Sequence, residues 1–270
     1  MSRVIAIANQ KGGVGKTTTA INLGAALAVA ERKVLVVDMD PQGNATSGLG
    51  IARGDLEFSV YDALVDGVGL DRVIHHGVHF PLLDVAPANQ DLVGAEVELV
   101  GLPQRELVLR RALADTRERY DFVLVDCPPS LGLLTLNTLT AADAVLIPIQ
   151  CEFYALEGLS QLLNTVRLVQ QNLNPGLQIE GVLLTMFDQR LNLSRQVAEE
   201  AKEYFGSSVF RVPIPRNVRL AEAPSFGKPI LLYDVASAGS QAYLSLAREI
   251  IDHAKDRQQP TPRRKEGSGR

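Results

Sequence analysis

The chain has 270 residues, of which 46% are hydrophobic and 21% charged, proportions that allow a sizeable core and exclude a disordered or fibrous protein. A formal charge of −4, from 27 Lys/Arg and 31 Asp/Glu, excludes a protein that coats nucleic acid by bulk charge, so any such affinity must come from a local patch. No run reaches the ~18 apolar residues of a membrane span. The apolar stretch 4–8 is too short for a secretory signal. Two cysteines, Cys127 and Cys151, cannot make a disulfide framework and are expected as reduced thiols in the cytosol.

In chain order, apolar runs of four to six residues alternate with stretches of helical period, the pattern of βα units around a mainly parallel sheet. Strands are predicted at 3–8, 34–37, 82–85, 122–125, 144–149 and 179–184. Helices are predicted at 16–30, 157–171, 195–205 and 241–255, the last with Tyr243, Leu246, Ala247, Ile250, Ile251 and Ala254 on one face. Residues 1–257 are read as one α/β domain with helices on both faces of the sheet, and the Gly-rich segment Gln10–Thr19 between its first strand and first helix makes it the P-loop NTPase type. Residues 258–270, rich in Pro, Gly and Arg and including Arg263, Arg264, Lys265 and Arg270, are read as a disordered basic tail.

The strongest signal is Gln10-Lys11-Gly12-Gly13-Val14-Gly15-Lys16-Thr17-Thr18-Thr19, set between a predicted strand and helix. Glycines there let backbone N–H groups turn toward phosphate oxygens, and the helix N-terminus adds positive potential. Lys16 is placed to reach the β and γ phosphates of ATP, and the Thr17 hydroxyl to coordinate Mg²⁺. Gln10 replaces the first glycine of the usual pattern and Lys11 is an additional lysine, which makes this a deviant Walker A loop. Lys11 is poorly placed to serve its own nucleotide, and a natural role is to reach a phosphate across a dimer interface. Asp38 and Asp40 follow the second strand and Asp126 the fourth, at the strand ends where open α/β sheets bind ligands. Asp126 fits a carboxylate that holds Mg²⁺, Asp38 lies near the metal, and Asp40 is the candidate for orienting the attacking water.

These motifs, with Asp-Met-Asp-Pro-Gln-Gly-Asn, Val-Asp-Cys-Pro-Pro-Ser, Leu-Thr-Met-Phe-Asp and Ile-Pro-Arg-Asn-Val-Arg-Leu-Ala-Glu-Ala-Pro-Ser-Phe-Gly-Lys-Pro-Ile, resemble the ParA/Soj chromosome-partitioning ATPases over residues 2–255. The resemblance is to the short form, without an N-terminal helix-turn-helix domain. It implies an ATP-driven switch in which Mg-ATP joins two monomers face to face, with Lys11 contacting the partner's nucleotide and Gly12 lying where the facing subunit approaches. It further implies that the dimer binds double-stranded DNA without sequence preference on the nucleoid, and that a ParB/Spo0J-type protein stimulates the hydrolysis that releases it. The resemblance also points to Pro215 and Asn217 at the adenine and to Arg190 and Arg219 at the DNA. Between residues 186 and 230 there are seven Lys/Arg and five Asp/Glu, a local excess of positive charge suited to phosphate contacts.

His75, His76 and His79 lack neighbouring ligands at metal spacing, and Cys127 and Cys151 lack a nearby His for nucleophilic work. The cysteine pattern of the nitrogenase iron-protein relatives, which share the loop, is absent from the sequence. The alternative of a MinD-like membrane-cycling or cargo-positioning ATPase would favour a basic amphipathic C-terminal helix. Here that helix carries mixed charge, Arg248, Glu249, Asp252, Lys255 and Asp256, so no membrane contact is expected.

Overall fold

Short runs such as Val34-Leu35-Val36-Val37 and Phe122-Val123-Leu124-Val125 are apolar at every position, as strands covered on both faces must be. The computed structural model, which describes residues 2–152 and 157–258, pairs six such strands in parallel. They are β1 (Arg3–Ile7), β2 (Val34–Asp38), β3 (Leu83–Ala86), β4 (Phe122–Asp126), β5 (Ala144–Gln150) and β6 (Gln178–Thr185), in the order β3-β2-β4-β1-β5-β6. The main helices are α1 (Lys16–Val29), α2 (Asn44–Gly48), α3 (Leu133–Ala141), α4 (Glu157–Asn172), α5 (Asn192–Phe205), α6 (Val218–Glu222) and α7 (Ala238–Gln258). Beyond the end of α7 at Gln258, the segment predicted as a tail lies outside the described residues.

Alternation along each strand divides the core in two. On β1, Val4 and Ala6 join a cluster with Leu134 and Leu139 of α3, Leu162 and Val166 of α4, and Val197 and Ala201 of α5. Ile5 and Ile7 face the other way, against Leu23 and Leu27 of α1 and Leu246 and Ile250 of α7. The apolar stripe predicted on the last helix is thus spent on the sheet.

Two polar details show how the sheet tolerates awkward residues. Pro148 lies inside β5, and its carbonyl points to the β1 side, where β1 has already ended; Asn9 Nδ2 donates to that carbonyl at 2.6 Å. The missing N–H therefore costs no ladder bond. Glu180 of β6 is fully buried and is held by the Arg3 guanidinium, whose Nε donates at 2.9 Å, with His253 Nδ1 of α7 at 3.7 Å. Burial raises the Glu180 pKa and Arg3 is the strongest influence against it, so this pairing is what makes a carboxylate tolerable there.

The predicted strand at 82–85 forms one residue later, and the helices predicted from 195 and 241 begin at Asn192 and Ala238. Between residues 53 and 119 the chain also forms short helices, among them Val60–Leu64, Leu92–Glu98 and Val108–Leu113. Each is too brief to show a periodicity in sequence.

Gly24 sets the spacing of α1 from the sheet, because a Cβ there would lie 2.9 Å from Val36 Cγ2 and 3.4 Å from Leu83 Cδ1. Alanine favours a helix over glycine by about 1 kcal/mol, yet Gly24→Ala is expected to destabilise the protein by roughly 1–3 kcal/mol through overpacking. Urea unfolding midpoints at constant m would measure it, and an unchanged or higher midpoint would show that the helix has room to move.

Candidate active site

The turn from β1 into α1 is built from glycines because it must pass through left-handed backbone. Gly13 has φ +74° and Gly15, the N-cap of α1, has φ +90°, conformations that cost glycine little and other residues more. Lys11 N donates to Asn9 Oδ1 at 3.0 Å, and Thr185 Oγ1, from the end of β6, donates to Val14 O at 2.8 Å. The loop is therefore held from both flanks, with the first N–H groups of α1 lacking intrahelical partners and available to an anion. No side chain caps that helix end.

Lys16, at the start of α1, is 6% exposed, and its Nζ lies 3.2 Å from Lys11 O, a bond within the loop itself. Burial pushes its pKa down, and Asp126 is the strongest of the charges that resist. Lys11 is half-buried, whereas Gly12 and Gly13 are exposed, and a Cβ on either would meet no atom within 4 Å.

Parallel register brings Asp38 of β2 directly beside Asp126 of β4, which in turn pairs with Ile7 of β1. Both carboxylates are fully buried, and they solve that problem differently. Asp38 Oδ2 accepts from Thr46 N at 2.8 Å and Thr46 Oγ1 at 2.7 Å, while Oδ1 accepts from Asp40 N at 3.2 Å. Burial still pushes Asp38 up to about 6 against those bonds. Asp126 has no hydrogen-bond partner on either oxygen, and burial followed by the Asp38 charge drives its pKa well up, with Thr17 and Lys16 acting against it. An orphaned buried carboxylate facing a threonine hydroxyl fits a hard cation, which takes oxygen ligands. Asp40, 6% exposed, uses Oδ1 to accept from Gln42 N at 2.9 Å, leaving Oδ2 for another donor.

A cleft of about 460 Å³ opens over these groups, lined by Gly12, Gly13, Gly15, Lys16, Thr17, Thr18 and Asp40 and walled by Asn44, Ser47, Pro129, Met186 and Pro224. A larger hollow, about 660 Å³, lies at the opposite pole of the sheet. It lacks the glycine loop and helix N-terminus, and two of its cations, Arg3 and Arg117, are already paired with Glu180 and Asp143, so the smaller cleft is the better candidate.

The structure thus gathers Lys16, Thr17, Thr18, Asp40 and the loop glycines around one cleft, with Asp38 and Asp126 beneath. Pro215 and Asn217 do not line it. Pro215 bridges Phe187, and Asn217 caps α6 by accepting from Arg219 N at 2.8 Å. Met186 and Pro224, which the motif reading left without a role, are among the residues that form the wall. Met186 has φ +50°, a strained conformation for a non-glycine residue that no sequence pattern announces.

Arg190 and Arg219 are exposed, and each is already paired. Arg190 makes two side-chain bonds to Asp188, at 2.9 and 2.7 Å, which pull that carboxyl down to about 2. Arg219 Nη1 donates to Glu222 Oε2 at 2.9 Å, and its Nε lies 3.6 Å from Asp234. The Cys127 thiol is pushed up to about 12 and that of Cys151 to about 11, in both cases first by burial, which leaves neither a ready nucleophile. His76 faces Asp84 at 2.8 Å, and His79 Nε2 faces the backbone carbonyls of Leu49 and Gly227.

A family model described as AAA domain matches residues 2–179. The chain is 61% identical over 250 residues to the sporulation initiation inhibitor protein Soj of Bacillus subtilis, covering 93% of this chain and 98% of that protein. It is 59% identical over 251 residues to the chromosome partitioning protein ParA of Myxococcus xanthus, covering 93% and 88%. Among solved structures, a crystal structure described as cobyrinic acid a,c-diamide synthase from Mycobacterium smegmatis with bound ADP and magnesium superposes with a TM-score of 0.84 at 40% identity. That superposition covers 97% of this chain and 100% of that one.

The buried Asp38 carboxyl generates a pH signature in the ligand-free protein. Its folded pKa is raised from 3.8 to about 6, so the folded state holds a proton that the unfolded chain releases between those values. The stability it contributes is present below pH 3.8 and is lost as pH rises through about 6. Asp38→Asn keeps an oxygen for Thr46 and removes the titration. Its melting temperature relative to wild type, measured in chelator without nucleotide, is expected to climb across that interval; a flat or falling difference would reject the burial argument.

Proposed function

The chain belongs to the Soj/ParA family of chromosome-partitioning ATPases, and on that premise we propose that Mg-ATP in the cleft converts it from a monomer to a DNA-binding homodimer. The observation that carries this reading is the convergence of Lys16, Thr17, Asp40 and the orphaned Asp126 carboxylate on one cleft at the start of α1. Thr17 and Asp126 are the residues that would hold Mg²⁺, with Asp38 behind them fixing α2. A cation held by those residues would supply positive charge against the negative charge that develops on the transferring phosphoryl group.

The remaining chemistry is positioning and charge stabilisation. Loop N–H groups from Gly12 to Thr18 cradle the phosphates, and Lys16 exchanges its bond to Lys11 O for phosphate oxygens. Asp40 Oδ2 accepts a hydrogen bond from a water and aims its oxygen at the terminal phosphorus. The P–O bond to ADP breaks as the water's oxygen bonds to phosphorus, the proton that the water loses passes to the phosphate oxygens, and ADP and phosphate leave.

Lys11 lies at the mouth of the loop beside the exposed Gly12, where a second copy has room to approach. In that arrangement Lys11 contacts the partner's nucleotide. Arg190 and Arg219 then face double-stranded DNA without reading its sequence, and exchange their exposed carboxylate partners for phosphates, since such pairs hold weakly in water. A ParB/Spo0J-type protein stimulates hydrolysis, and the ATPase works in the cytoplasm on the nucleoid. Pro215, bridged to Phe187 next to Met186, and Asn217 are the residues we assign to the adenine.

Three observations favour this reading over its rivals. The apolar side chains of α7, including Tyr243, Leu246 and Ile250, are buried against α1 and are not offered to a bilayer. No helix among the described residues is long and apolar enough to cross a membrane. The relatives named for partitioning are 61% and 59% identical, against 40% for the structure described as a diamide synthase.

Asp40→Ala is expected to bind ATP and dimerise while phosphate release falls at least a hundredfold, the scale of losing a positioning group. Wild-type release would remove Asp40 from the mechanism. Binding to a non-specific duplex should need Mg-ATP rather than Mg-ADP and weaken steeply with salt. Arg219→Glu should abolish that binding while leaving dimerisation intact, and unchanged binding would refute the arginine's role.

A further inference from the structure

The Arg219 segment and the Asp40 segment are separate in sequence, yet they touch backbone to backbone at the rim of the cleft. After Asp40 the chain turns at Gly43 into α2, whose Asn44, Ser47 and Gly48 line the cleft, and ends at Leu49 and Gly50. After Arg219 and α6 the chain runs through Pro224, whose Cβ lies 3.6 Å from where a Cβ on Gly48 would stand, to Gly227. Gly50 has φ +78° and Gly227 φ +61°. A Cβ on Gly50 would stand 2.9 Å from Gly227 O, and one on Gly227 would stand 2.7 Å from Gly50 Cα. Neither side of this contact can carry a side chain or be pushed closer.

One side chain spans the seam. His79 reaches in from the turn before β3, and its Nε2 lies 3.0 Å from Leu49 O and 2.7 Å from Gly227 O. Both neighbours are acceptors only, so that nitrogen carries a hydrogen and shares it between them. The turn is anchored independently, since the Asp84 carboxylate accepts from Gly77 N at 2.9 Å and faces His76 Nδ1 at 2.8 Å, and Val78 N donates to Leu83 O at 2.8 Å. His79 itself has φ +64°, which histidine adopts at a cost that the surrounding contacts must offset.

We propose that His79 is a positioning residue that clasps Leu49 to Gly227, so that closure of α2 over the nucleotide is transmitted to the Arg219 segment. The inference rests on the reading of Arg219 as a DNA contact. In physical terms, a nucleotide that draws Asn44 and Ser47 inward pulls Leu49 and Gly50 with them. The clasp and the packed glycine seam oblige Gly227 to follow, and α6, joined to it through residues 223–226, follows in turn. Without the ring the two walls are in contact but not tied, and each responds to its own neighbours.

Two variants separate the clasp from backbone strain. His79→Gly removes the ring while suiting the positive φ, and His79→Asn tolerates that φ and restores an N–H donor. Hydrogen exchange read by mass spectrometry, with and without Mg²⁺ and a non-hydrolysable ATP analogue, is expected to show wild-type protection rising in both 44–50 and 218–227. In His79→Gly it should rise in 44–50 only, with analogue affinity within twofold of wild type, and His79→Asn should recover part of the response at 218–227. The ratio of duplex affinities in ATP and ADP should fall at least tenfold in His79→Gly. The proposal is overturned if 218–227 in the wild type ignores the analogue, if His79→Gly retains the full response there, or if its analogue affinity collapses, which would make His79 part of the pocket. Wild-type protein that binds no duplex in either state, with the exchange response intact, would reject the DNA reading and leave the clasp standing.

Discussion

Everything in this protein is arranged around two buried carboxylates that parallel register forces side by side. Asp38 and Asp126 end adjacent strands at the same level and are both fully buried, a placement that costs several kcal/mol per ion unless each charge is compensated. The fold compensates one of them internally. Thr46 gives Asp38 both a backbone and a hydroxyl hydrogen, and the same hydroxyl accepts from Ala88 N at 2.9 Å. Asp126 receives nothing comparable, and burial with the Asp38 charge pushes its pKa well up, so its ionised form is the one that a cation beside Thr17 and Lys16 would stabilise.

That asymmetry has a mechanical consequence. Because Asp38 is satisfied by the first turn of α2, the element that carries Asn44 and Ser47 is tethered to the sheet beneath the phosphates. Gly43, with φ +59°, is crowded by Arg53 Cδ at 2.6 Å and Ala88 O at 3.0 Å from any Cβ, and the Arg53 guanidinium donates to Gln42 O. The backbone between Asp40 and α2 thus has little freedom of its own. Changes at the cleft are passed on rather than absorbed, because closely packed elements shift between discrete arrangements instead of deforming continuously.

Much of this was legible in the sequence where chemistry and local pattern coincide. Strand-long apolar runs, the glycine loop and the strand-end Asp38 and Asp126 are all local signals, and the six strands form within a residue or two of where those signals place them. What was illegible is relational. Nothing in Asp-Met-Asp says that Asp38 is saturated by Thr46, eight residues on, while Asp126 is left bare. Asn217 sits in a long family motif but turns its carbonyl oxygen to its own helix cap. Met186 and Pro224 line one cleft although the first follows β6 and the second follows α6 in the chain. His79, in a histidine-rich turn with no metal spacing, acquires a partner 148 residues away, a distance no periodicity spans.

The same distinction governs the surface arginines. Local composition marks residues 186–230 as basic, but the structure shows the two candidate arginines already paired, Arg190 to Asp188 and Arg219 to Glu222 and Asp234. Glu222 is further occupied by Tyr233 OH at 3.0 Å, which fixes the geometry of its pair with Arg219. A monomer therefore presents arginines that are oriented but electrostatically muted. Binding a polyanion requires their carboxylates to be outcompeted by several phosphates at once, a condition that two copies held face to face meet far better than one, because the second set of contacts forms at a high effective concentration. If the chain binds DNA as proposed, pairing each arginine in the free chain is a physical reason for that affinity to depend on dimerisation, and through it on the nucleotide.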